Sequence, residues 1–149
     1  MKPGKVPFAN KLRPDLKHEV VPDRKGRGMM LLPTPMLVAE AISAVPEGSL
    51  ITASELRGRL ARAHDADLVC PMMSGIFFSI IAGAAEEQLM AGEPPAAPYW
   101  RVVMDDGALN PKTPYGPEKH AERLKSEGHT VKARGSKLCV ADFREHLVA

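Results

Sequence analysis

The apolar positions of the chain fall into runs of different period, separated by prolines and glycines. Met36, Leu37, Ala39, Ala41, Ile42 and Val45 lie between the N-cap pair Thr34-Pro35 and the breaker Pro46, which predicts a short, buried helix. After the turn Pro46-Glu47-Gly48, Thr52 and Glu55 form a capping box for a second helix, with Leu56, Leu60 and Ala63 on one face and Arg57, Arg59 and Arg62 elsewhere. A third helix is predicted from Cys70-Pro71 to about Gln88. Its Ile76, Phe77, Phe78, Ile80, Ile81, Ala84 and Ala85 are apolar nearly all round, so this should be the most buried element.

The loop from Leu89 to Pro98 delivers a β-rich run, Tyr99 to Met104, into the turn Asp105-Asp106-Gly107 and a return through Leu109, which reads as a wing-like hairpin. Pro117 opens a further helix through Leu124, closed by Gly128 just past Glu127. Val131, Leu138, Cys139 and Val140 suit a small hairpin around Arg134-Gly135, followed by a short C-terminal helix. Pro3, Pro7, Pro14 and Pro22, with Gly26 and Gly28, break any period before residue 28, so that stretch is expected to be largely irregular and order to begin near Met29. The expected organisation is a basic arm over 1-28, a mainly α body with a small hairpin wing over 29-128, and a C-terminal extension over 129-149.

Composition narrows the function classes. With 149 residues, 44% hydrophobic and 26% charged, the chain suits one globular core. The net charge of +2 hides an asymmetry: residues 1-28 hold eight Lys/Arg against three Asp/Glu, and the remainder is slightly acidic. Such an arm suits phosphates or simply a solvated tail. No apolar run approaches the roughly 20 residues needed to span a bilayer, and no apolar signal segment follows Met1, so a cytoplasmic protein without a membrane partner is expected. Cys70 and Cys139 have no CxxC or Cys/His partner pattern, which argues against a disulfide framework or a zinc site. A GxxxxGK phosphate loop, GxSxG and HExxH are all absent, and His64, His120, His129 and His146 are scattered. Neither cofactor nor metal is implied.

The order of a helix, Val45-Pro46-x-Gly48, a Thr52-capped helix, a buried helix, then Pro98-x-x-Arg101-Val102-Val103 with Asp106-Gly107-x-Leu109, resembles the C-terminal domain of the methylated-DNA-protein-cysteine methyltransferases, the alkylguanine-DNA alkyltransferases. Gly116, Lys119, Leu124 and Glu127-Gly128 continue the match, which covers roughly Thr34 to Gly128. The resemblance implies a winged helix-turn-helix-like domain that docks at the minor groove and flips a damaged guanine into a pocket, where a cysteine accepts the alkyl group. The family pattern there is Pro-Cys-His-Arg-Val, and holding Pro98 and Arg101 fixed puts Tyr99 at the cysteine and Trp100 at its histidine partner. A thiolate and its activating base are both missing, so methyl transfer is not expected.

The chain is also similar to the alkyltransferase-like branch, which lacks the cysteine, usually has Trp there, and flags alkylguanine for other repair machinery. That likeness implies duplex DNA carrying alkylated guanine as ligand and a repair protein as partner. Tyr99, Trp100 and Arg101 would line the base pocket, Phe77 stands where the family has an intercalating arginine, and Lys119 would meet phosphate. Departures remain: Trp100 replaces the histidine that the branch keeps, Ala53 or Ser54 replaces a pocket tyrosine, and no Lys or Arg occurs between Arg62 and Arg101. Ordinary core packing of Phe77, Tyr99 and Trp100 is the competing reading. Two other functions compete with lesion binding: an interaction or structural module that lost DNA recognition, and unrelated cysteine chemistry at Cys70 or Cys139, of which Cys70 is predicted at a helix N-terminus.

Overall fold

The computed structural model describes residues 7-148. In chain order they form β1 (Glu19–Pro22), β2 (Met29–Leu32), α1 (Pro35–Ser43), β3 (Ile51–Thr52), α2 (Ala53–Ala63), β4 (Leu68–Val69), α3 (Pro71–Met90), β5 (Val102–Val103), α4 (Gly116–Ser126), β6 (Val131–Arg134) and β7 (Lys137–Val140). The helix starts follow the capping chemistry: Thr34 Oγ1 accepts from Leu37 N at 3.1 Å and Thr52 Oγ1 from Glu55 N at 3.2 Å. Each such cap contributes about 1 kcal/mol. At the end of α4, Gly128 adopts φ +92°, and the amides of Gly128 and His129 reach back to the Lys125 and Leu124 carbonyls. The otherwise orphaned last-turn acceptors are thereby satisfied.

Helix α1 packs on both α2 and α3, and Ile42, Leu50, Ile51, Ile81 and Leu124 are buried at the centre. Only the second half of α3 meets the expectation of deep burial; from Ile81 to Glu86 it is enclosed, whereas Met72 is 72% and Ile76 51% exposed. At a rise of about 1.5 Å per residue the helix extends for about 30 Å, and its first turns lie beyond the enclosed stretch Ile81 to Glu86. No helix among the described residues is long and apolar enough to cross a membrane.

Three local expectations need correction. First, order begins before Met29: within the otherwise irregular stretch 7-28, β1 runs antiparallel to β2, with Val20 opposite Leu31, and β2 continues parallel to β4. A 3-10 turn, Phe8–Lys11, docks on α3, where the Glu87 carboxylate accepts from the Phe8 and Ala9 amides at 3.0 Å each. The Phe8 ring lies so close to Gly83 that a Cβ there would collide with it. The prolines deny this segment a period, but α3 supplies its acceptors and packing surface. Lys2 and Lys5 of the basic arm lie outside the described residues.

Second, the run after Pro98 turns back only at its end, where Met104 N donates to Ala108 O at 2.9 Å across the 105-107 turn, and its earlier residues pair elsewhere. Tyr99–Arg101 is a 3-10 turn, and β5 pairs in parallel with β3, Ile51 opposite Val102 and Thr52 opposite Val103. The turn at 105-107 is closed by Gly107 N to Met104 O at 2.9 Å, after which Ala108 bridges Cys139 and Leu109 N donates to Leu138 O at 2.8 Å. The small hairpin of this mainly α fold is therefore β6-β7, as the Arg134-Gly135 turn predicts. Third, the C-terminal helix is only a 3-10 turn, Phe143–His146, and the chain then lies beside Leu50, with Leu50 N donating to His146 O at 2.8 Å and Val148 N to Leu50 O at 2.9 Å.

Candidate nucleic-acid interface

The parallel pairing of β3 with β5 brings the segment after Pro98 against the start of α2 and the projecting end of α3. Between them lies a cleft of about 190 Å³ walled by Leu56 and Leu60 of α2, Phe78 of α3, and Val102, Val103 and Met104. The lining is largely apolar, with Arg57, Ser74 and Asn110 as its polar members. Ser74 Oγ donates to Pro71 O at 3.0 Å, whereas Arg57 forms no ion pair among the described residues and reaches only Ser54 Oγ, at 3.3 Å. Asp105 accepts from both the amide and the hydroxyl of Ser54, which ties the 105-107 turn to the N-terminal end of α2. The exposed Met72 and Ile76, four residues apart and hence on one face of α3, adjoin the cleft-lining Pro71 and Gly75 in sequence.

The residues expected to line a base pocket are placed differently. Tyr99 is fully buried, and its hydroxyl donates to Glu86 Oε2 at 2.7 Å. It sits in an aromatic cluster with Phe78, Trp100 and His120, at ring-centroid distances of 6.3, 5.4 and 5.5 Å. Phe78 belongs to the cleft wall, so Tyr99 stands behind that wall, and Trp100 is likewise interior at 8% exposure. Arg101 is half-buried: Nε and Nη2 donate to the Glu127 carboxylate at 3.0 and 2.7 Å, and Nη1 to Val45 O at 2.7 Å. It therefore joins the segment after Pro98 to α1 and to the end of α4.

Buried electrostatics hold this framework together. Burial alone would raise the Glu86 carboxyl, but the Arg123 guanidinium, at 2.7 and 3.0 Å, and the Tyr99 hydroxyl outweigh it and keep the pKa below the ordinary carboxylate range. Glu127 behaves alike: burial raises it, and Arg101 with the Trp100 indole N–H brings it lower. The indole nitrogen is itself buried and falls short of hydrogen-bond geometry. Burial, reinforced by Glu86, drives the Tyr99 hydroxyl far above its ordinary value, so no phenolate is available there. His120 is pushed down to about 4 by burial despite its 2.9 Å contact with Trp100 O, and is neutral at pH 7.

Phe77 is half-buried against the core, and Lys119 pairs with Glu122 at 3.4 Å on the outer face of α4. The structure thus joins Tyr99, Trp100 and Arg101 in one framework and leaves Phe77 and Lys119 apart from it. Sequence reasoning passed over Arg57, which its heptad-like neighbours Arg59 and Arg62 disguise as one of a solvated set. Those two pair with Glu55, at 3.1 and 3.0 Å, and only the tertiary wall of 102-104 distinguishes the third. Glu86 was equally hidden, although an acid within an apolar helical run is itself a signal for a buried partner. Among the described residues no group of three or more His, Cys, Asp or Glu is placed to hold a metal ion.

Incubation with radiolabelled methylated DNA is expected to leave the protein unlabelled, because Tyr99, which the resemblance sets at the acceptor position, is a buried phenol with a raised pKa. Stoichiometric label on any residue would contradict this.

No family model and no curated protein matches the chain. Two solved structures do. S. pombe Atl1 in complex with damaged DNA containing O6-carboxymethylguanine superposes with a TM-score of 0.54 at 16% identity, covering 77% of this chain and 94% of that one. S. pombe ATL in complex with DNA gives 0.54 at 17% identity with the same coverage. At that identity the likeness speaks for architecture alone: the chain has the alkyltransferase-like fold.

Proposed function

We propose that this is a non-catalytic DNA-binding protein that recognises alkylated guanine in duplex DNA and presents it to a repair partner inside the cell. The observation that carries the reading is the apolar cleft between α2, α3 and the 102-104 segment, which takes in Ala53, one of the two positions where the resemblance has a pocket tyrosine, but not Tyr99, Trp100 or Arg101. The body over 29-128 would hold the lesion, and the basic arm and the C-terminal extension would supplement it. The S. pombe proteins of the same fold are seen with DNA, one of them with a damaged guanine.

The cleft is mostly hydrocarbon, so its selectivity is expected to come from the alkyl substituent. Each methylene moved from water into it contributes up to about 0.8 kcal/mol, roughly fourfold in affinity. That gain sits on top of unstacking and flipping, which costs a few kcal/mol whether or not the base is alkylated. Titration of oligonucleotides carrying guanine, O6-methylguanine and O6-propylguanine is expected to give affinities that rise in that order at every salt concentration. Equal affinity for all three by folded protein would end the lesion-sensing reading, since a pocket without differential affinity reports nothing.

The exposed Met72 and Ile76 and the absence of Lys and Arg from residue 63 to 100 favour a second reading, a module whose α3 end docks on a protein. In the DNA reading the same side chains act as apolar wedges at the minor groove, which such proteins use between base steps. The titration separates them, because a protein-docking surface would show no preference for the lesion.

A further inference from the structure

The α3 end that faces the cleft carries no cation, so phosphate neutralisation must come from another element. We infer that the β6-β7 hairpin is a wing that contacts the phosphate backbone of the bound duplex. This rests on the DNA-binding reading above and extends it to a surface outside the lesion cleft.

The hairpin turns through Gly135 and Ser136, with Gly135 at φ +63°, where glycine is favoured, and residues 132-137 are all exposed. In its antiparallel register Lys132 is opposite Cys139 and Arg134 opposite Lys137, so Lys132, Arg134 and Lys137 share one face. Residues 129-141 contain no Asp or Glu. Directly opposed like charges destabilise a strand pair, and Asp106, which interacts with both Arg134 and Lys137, is the one carboxylate that offsets their repulsion in the free protein. The one ion pair on this face, Arg134 to Asp106 at 2.8 Å, is solvent-exposed and leaves Lys132 and Lys137 without an ion-pair partner among the described residues.

The hairpin is also fixed relative to the cleft. Leu109 N donates to Leu138 O, Val140 N donates to Gly107 O at 3.0 Å, and Ala108 bridges Cys139, so the 107-109 segment becomes a third edge of the hairpin. The Phe143 ring packs on Gly107, where a Cβ would collide with it, and closes the joint. The same segment runs from Met104 to Asn110, both of which line the cleft, and its Asp105 holds the start of α2. Three cations are thereby held at a constant offset from the base site, the arrangement needed for phosphate contacts that set register without reading sequence.

The test is the salt dependence of duplex binding by the full chain, wild type against Lys132→Gln/Arg134→Gln/Lys137→Gln. Loss of three phosphate contacts is expected to reduce the slope of log K against log salt by about 2 to 3, at about 0.9 per contact. The ratio of affinities for alkylated and plain duplex is expected to stay unchanged, and the melting temperature nearly so, because the exposed Arg134–Asp106 pair and the like-charge repulsion are lost together. The single variant Lys132→Gln, free of the Asp106 pair, is expected to reduce the slope by about 0.9 and guards against a misfolded triple variant. Wild-type binding with an unaltered slope in both variants would overturn the wing alone. Absence of any duplex binding by the wild type would overturn both this inference and the function it rests on.

Discussion

Replacement of Tyr99 by alanine is expected to lower the free energy of unfolding by about 3 to 5 kcal/mol, the range for deleting a large buried aromatic. The ring is fully enclosed among Phe78, Trp100 and His120, and its hydroxyl is one of the donors that keep the Glu86 carboxylate satisfied. For a chain of this size that corresponds to a melting temperature lower by roughly 10 °C or more. Tyr99→Phe keeps the ring and removes one hydrogen bond to a charged group, so it should lose about 1.5 to 3 kcal/mol. Urea unfolding of both variants, alongside titration with alkylated duplex, checks the assignment. A selective loss of about 1 to 3 kcal/mol in lesion affinity at unchanged stability would instead make Tyr99 a stacking platform for the base.

Acidification is the second large effect expected. His120 is neutral in the folded protein, its pKa pushed down to about 4 from 6.5 chiefly by burial. Below pH 6.5 the unfolded chain binds a proton that the folded chain does not, so stability is complete above that pH and is lost as pH falls toward 4. At 1.36 kcal/mol per unit the loss reaches about 3 kcal/mol. His129, depressed by burial and by His146, adds to the loss in the same direction. The carboxylates of Glu86 and Glu127 are held low, and their contribution disappears only at more acid pH, as it falls through the ordinary carboxylate range. Denaturant midpoints between pH 7 and 5 are therefore governed by histidine, and His120→Gln, whose amide can still donate to Trp100 O, should flatten the curve. A wild-type midpoint that does not move over this interval would refute burial of a neutral His120.

The helices were legible in the sequence to within a few residues because their signals are local. Thr34, Thr52 and Gly128 act on backbone groups one turn away, Pro71 fixes φ at the first position of α3, and each stands at the terminus it predicted. The β6-β7 hairpin was legible for the same reason, since a two-residue turn needs only its own glycine. The arm, the β5 pairing and the direction of α3 were not, because each depends on a partner far along the chain. Glu87 accepts the Phe8 amide 79 residues away, and Val102 takes Ile51 as its neighbour rather than a residue of its own return. Gly83 in the middle of an apolar helix was the one local trace of the arm's docking, as a helical glycine marks a close approach.

The expectation that alkyl transfer is absent rests on the sequence alone, because Tyr99 and Trp100 cannot provide a thiolate and its base in any conformation. The sequence by itself also determined the mainly helical architecture, through caps and periodicity. Which residues face a ligand was decided only by the tertiary structure. Residue type says that Tyr99, Trp100 and Arg101 can stack or bind an anion, but burial and pairing depend on what the rest of the chain brings beside them. Here Glu86 and Glu127 draw those groups inward. The parallel pairing of β3 with β5 leaves Arg57 and a hydrocarbon wall to face the cleft instead.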